Sequence, residues 1–106
     1  MANKLPDIEV AIDRPKGTVI HKYEVKLDSF SVFMVKGSII RDIAEQYGDM
    51  FMWVERPVDT QIECEGRSFE VFGTGHTIPD ISPKQRKFIK TVHHSSGLVL
   101  HYYEVV

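Results

Sequence analysis

Cys64 is the only cysteine in this 106-residue chain. A single thiol excludes an intrachain disulfide and any zinc site built on several cysteines. Long apolar runs are missing as well: none nears the ~18 residues that a membrane-spanning helix needs. Cationic charge is not in excess, since 13 Lys and Arg stand against 15 Asp and Glu for a net charge of −2. No overall basic field therefore draws the chain to nucleic acid or to an anionic membrane, and neither is an expected partner. The N-terminus, Met1-Ala2-Asn3-Lys4-Leu5-Pro6-Asp7, lacks the charged-then-apolar pattern of a leader, so the chain reads as cytoplasmic. No nucleophile–base or phosphate-loop signature is present, which gives no ground for expecting an enzyme.

What remains is ordinary globular material, 42% hydrophobic and 26% charged residues. One domain of this length buries roughly two-thirds of its unfolded surface. Residues 1–17 carry Pro6, Pro15 and Gly17 around a short alternation of Ile8, Val10 and Ile12. They are expected to form an N-terminal arm holding at most an edge strand, because proline donates no ladder hydrogen bond.

From Thr18 onward the residues alternate with a period of two, the mark of a half-buried strand. Val19, His21, Tyr23 and Val25 oppose Ile20, Lys22, Glu24 and Lys26. Phe30, Val32 and Met34 begin a second strand, which Lys36-Gly37 ends. Met50 to Arg56 is short and densely apolar, with Pro57 as its stop, and residues 57–66 read as a solvated connection. Ser68 to Thr74, Lys84 to His94 and Leu98 to Val106 complete the set, the last two joined by a tight turn at Ser95-Ser96-Gly97. Ser38 to Tyr47 reads two ways. Ile39, Ile40, Ile43, Ala44 and Tyr47 fall at helical spacing between a Ser38 cap and a Gly48 stop, yet Ile39, Ile43 and Tyr47 also share a strand face. Periodicity alone leans to helix.

Several pieces resemble a known family. They are Ile20-His21-Lys22-Tyr23, Val35-Lys36-Gly37-Ser38-Ile39-Ile40, Trp53 before an acidic-then-proline turn, Gly73-Thr74-Gly75-His76, Gly97, and Leu100-His101-Tyr102-Tyr103-Glu104. In this order and spacing, residues 20–106 resemble a small β-rich domain family of unknown function encoded mostly by bacteriophages and prophages. Thr77 stands where that family often has proline. The resemblance implies a strand over 38–47 and brings no substrate, cofactor or catalytic residue. The expected fold is all-β and mainly antiparallel: one domain over 18–106, a sandwich or partly open barrel of about six to seven strands.

Two candidate sites follow. Gly73, Thr74, Gly75 and His76, with His101, could form a backbone nest for a nucleotide or other anion, with a histidine poised near neutral pH. Phe51, Trp53, Tyr102 and Tyr103 are candidate protein-binding residues, since aromatic side chains are enriched where proteins meet. His21, His76, His93, His94 and His101 lack close metal-ligand spacing, so no metal or other cofactor is expected. Lys84, Arg86, Lys87 and Lys90 form a short basic run of the kind that shields exposed strands. The leading expectation is a non-enzymatic binding protein that engages a host protein or itself; the alternative is a small-ligand binder using the glycine corner.

Overall fold

The computed structural model describes residues 16–59 and 61–106. Most of the expected arm lies outside the described residues. Among the described residues, seven strands follow one another with no helix between them: β1 (Thr18–Glu24), β2 (Phe30–Val35), β3 (Ile39–Gln46), β4 (Asp49–Pro57), β5 (Cys64–Gly73), β6 (Arg86–His93) and β7 (Val99–Val105). They pair into a three-stranded sheet of order β1-β4-β3 and a four-stranded sheet of order β2-β5-β7-β6. Every pairing is antiparallel. The architecture is a sandwich of two open sheets, and the barrel alternative drops away.

Alternation builds the core. Met50, Met52 and Val54 of β4 point inward and are buried, opposite Phe69, Leu100 and Tyr102 of β5 and β7. Val25, Met34, Ile43 and Val92 close the same cluster. Burying side chains of this size stabilises by about 1.5–3 kcal/mol each. Phe30 stacks on Phe69 at 5.0 Å and meets the Tyr102 ring edge-on at 6.5 Å, extending the core to the β2 edge.

Within segment 38–47, Ile39–Gln46 is a strand, as the resemblance implied and against its helical spacing, while Tyr47 belongs to the turn that follows. The reason is a bulge. Ile40 lies opposite Val54 and Ile43 opposite Met52, so two positions on β4 are matched by three on β3. Both isoleucines face the core, and the extra residue reproduces the i, i+3 spacing of a helix. The stretch 57–66 is also corrected in part. Cys64 to Gly66 already belong to β5, paired with Val35 to Phe33, and Asp59 is buried rather than solvated. β5 starts early because β2 supplies a full row of partners for it.

Polar contacts tie the sheets together along the β3–β6 side. Lys90 reaches Asp42 at 2.5 Å. At the hairpin ends, the Ser95 amide and hydroxyl both donate to the Glu45 carboxylate. His94 Nε2 donates to the Gly48 carbonyl at 3.1 Å. Since a carbonyl only accepts, His94 carries its proton on Nε2, and Nδ1 accepts from the Ser96 amide at 3.1 Å.

Candidate functional site

The glycine corner forms where β5 runs out of partners. Thr74 N–H donates to the Val99 carbonyl, and His76 N–H turns back onto the Gly73 carbonyl at 3.1 Å. Gly75 takes a φ of +88°, the left-handed region that glycine enters without strain. Two of the amides that a nest would aim at an anion are thus spent on carbonyls of the protein itself. The His76 ring lies against Gly73, 3.0 Å from where a β-carbon would stand, and the residue is otherwise exposed. His101, on β7, pairs directly with Phe72 of β5, on the outer face of the four-stranded sheet. Both its ring nitrogens are engaged at 2.8 Å, Nε2 with the Thr74 hydroxyl and Nδ1 with that of Thr91. Alternation sends Gly73 inward and Thr74 outward, so the two histidines serve opposite sides of the strand end and do not converge.

The aromatic candidates separate into three places. Phe51 and Trp53 project from β4 away from the core, ring to ring at 6.3 Å. The Lys22 ammonium lies 4.5 Å over the Phe51 ring and donates to Gln46 Oε1 at 2.8 Å. A cation held above an aromatic face is attracted by the ring quadrupole. Beside them Ile20 is 56% exposed, although a branched apolar side chain gains nothing from water. This face belongs to the central strand of the three-stranded sheet, and nothing among the described residues packs over it as a third layer.

Tyr103 lies on the other outer face, that of the four-stranded sheet, between Phe72 at 5.9 Å and Phe88 at 5.4 Å. It cannot share one patch with Trp53, because the whole sandwich stands between them. Tyr102 is a correction. It is fully buried and donates its hydroxyl to the Lys26 carbonyl at 2.9 Å, so it is a core residue with no surface to offer. The sequence run Tyr102-Tyr103 must send one ring each way, and the neighbours Leu100 and Glu104, both buried, fix which.

The basic run does not act as a patch. Arg86 is bound to Glu70 at 2.5 Å and to the Pro79 carbonyl, with its guanidinium 5.3 Å over the Phe72 ring. Lys90 is occupied by Asp42, and a bulge between Phe88 and Lys90 turns the strand partway through the run. His93 and His101 share the outer face of β6–β7, diagonally placed through Thr91 and Val99. Among the described residues, no three His, Cys, Asp or Glu side chains gather as a metal site would require.

One arrangement escaped the sequence reading. Arg67, on the inner face of β5, grips the Glu104 carboxylate with both Nε (2.6 Å) and Nη2 (2.8 Å), while Nη1 donates to the Ser38 carbonyl at 2.7 Å. The two charged residues are 37 positions apart, so no local motif links them. The available signal was phase: Arg67, Phe69 and Val71 share parity, which puts the arginine on the core side. Glu104 hydrogen-bonds raise the Arg67 guanidinium further above its ordinary value, outweighing the opposing effect of burial.

These features define a small all-β sandwich domain with two unlike outer faces. The chain belongs to the family described as a domain of unknown function, DUF7352, whose sequence profile matches residues 16–106. No curated protein and no solved structure matches the chain.

Proposed function

We propose that this domain is a non-enzymatic binding module of the phage or prophage type its sequence resembles. It engages another protein, a host protein or a second copy of itself, in the cytoplasm. The observation that carries the reading is the outward pair Phe51 and Trp53 on the central strand of the three-stranded sheet, flanked by exposed Ile20. Rigid aromatic rings beside a cation and apolar neighbours are the usual anchors of protein interfaces. Among the described residues, β1 and β3 are the edge strands of that sheet and border the same face, where an added strand would pair. The test compares a tagged wild-type domain with a Phe51→Ser/Trp53→Ser variant, asking which protein each retains. Retention that does not depend on these two side chains counts against the proposal.

The second reading, an anion at the Gly73–His76 corner, is favoured by the exposed position of His76 alone. It has fewer free donors to work with, since the Thr74 and His76 amides and both His101 nitrogens are engaged. A nucleotide panel that raises the melting temperature of the wild type, but not of His76→Ala, would restore it.

A further inference from the structure

The two sheets part where their edge strands both bulge, β3 between Ile40 and Asp42 and β6 between Phe88 and Lys90. The opening is a cleft of about 280 Å³ lined by Ile39, Ile40, Phe88 and Ile89 on its walls and by Ser38, Arg67, Glu104 and Lys87. Facing bulges widen an edge and re-aim side chains, and natural sites often use them so. We infer that this cleft binds a small amphipathic carboxylate, its apolar body against the isoleucine walls and its anion between Lys87 and Arg67.

The charge of the lining carries the choice of ligand. Arg67 and Glu104 neutralise one another. Lys87, directly across the ladder from Glu104, is exposed and makes no ion pair within 4.0 Å among the described residues. Among the side chains that line the cleft, one cation is therefore in excess, with the Glu65 carboxylate acting on Arg67 from outside that lining. Nε, Nη1 and Nη2 of Arg67 each use one hydrogen on Glu104 or Ser38, which leaves a second hydrogen on Nη1 and on Nη2 without an acceptor among the described residues. A planar carboxylate matches that guanidinium edge. The volume of about 280 Å³ lies just below the roughly 300 Å³ at which ligand pockets begin, which suits a single ring or a short chain.

The probe is benzoate, titrated into the full chain and followed by isoleucine methyl NMR. Benzyl alcohol serves as the uncharged isostere and inorganic phosphate as the anion without an apolar body. Saturable shifts at Ile40 and Ile89 are expected with benzoate, at least about tenfold weaker in Lys87→Met, where the stem remains and one charge contact is lost. Equal binding of benzyl alcohol, or benzoate binding that Lys87→Met leaves unchanged, would overturn the anionic half of the inference. Phosphate acting as well as benzoate would overturn the apolar half. An absence of shifts with benzoate would overturn both. Lys87 is exposed, so the variant is expected to keep the wild-type melting temperature.

Discussion

Tyr102 donates its hydroxyl to the backbone carbonyl of Lys26, 2.9 Å away, and so pins the centre of the four-stranded sheet to the chain just beyond β1. Burial pushes its phenol up to about 12 from an ordinary 10.0. Below pH 10 the phenol is neutral in both folded and unfolded chains and contributes no pH dependence. Between about 10 and 12 the unfolded chain releases a proton that the folded one retains, so stability falls as pH rises. Tyr102→Phe is expected to cost about 1 kcal/mol at neutral pH through the lost hydrogen bond. It should also flatten this alkaline decline, as urea melts at stepped pH would measure.

The Arg67–Glu104 pair carries a different kind of stability. Side-chain exposures of 18% and 10% leave little water to take over if one partner is removed. Glu104→Leu strands a guanidinium between the sheets and is expected to destabilise by roughly 3 kcal/mol. Adding Arg67→Met removes the stranded charge and should recover most of that loss. Denaturant midpoints for the single and double variants decide it; additive losses would mean the pair acts separately.

Acid sensitivity is expected at the opposite end of the β3–β6 side. The Ser95 hydroxyl and amide hold the Glu45 carboxyl below its ordinary 4.5, with His94 assisting. A carboxylate with a lowered folded pKa stabilises at pH values above its unfolded pKa. That stabilisation is lost as pH drops from about 4.5 through the lowered folded value. Glu45→Gln should show a shallower drop in melting temperature below pH 5 than the wild type. Glu55 is lowered likewise by Thr18 and Arg41, so part of the acid decline should persist.

The β3–β4 hairpin turns through Tyr47 and Gly48, with φ of +55° and +87° between the paired residues Gln46 and Asp49. Two positive φ values in a two-residue loop are the demand of a type I′ turn, which Asn-Gly meets best. Tyr47 is 94% exposed and packs on nothing that would repay its conformation. Tyr47→Asn is expected to raise stability by about 0.5–1 kcal/mol, and Gly48→Ala to lower it by about 1–2 kcal/mol. Thermal melts of both variants check the pair of signs.

Much of this fold was legible because alternation is a direct imprint of the pleat. Val19 and Tyr23, Met50 to Val54, and Leu100 to Tyr102 each declare their faces in the linear order. β3 misled for a physical reason: its bulge at Arg41 makes a strand carry helical spacing, which no window of local residues can distinguish. The candidate sites were less legible. That Tyr102 is core and Tyr103 surface depends on which side of β7 meets β4, a fact of sheet packing. The Arg67–Glu104 grip and the cleft beside it arise from strands distant in sequence, and only their shared inward phase foretold them. The engagement of His101 was hidden because its hydroxyl partners are distant in sequence, Thr74 in the turn after β5 and Thr91 on β6.

Whether the outer face of the three-stranded sheet is the contact surface is decided by quantitative capture from bacterial lysate containing untagged copies of the domain. Wild type, Phe51→Ser/Trp53→Ser and Tyr103→Ser are compared, the last altering the opposite face. One stoichiometric protein, a host protein or the domain itself, is expected on wild type and Tyr103→Ser and is expected to be lost from the double variant. The same proteins retained by all three, or none retained by the wild type, would contradict it.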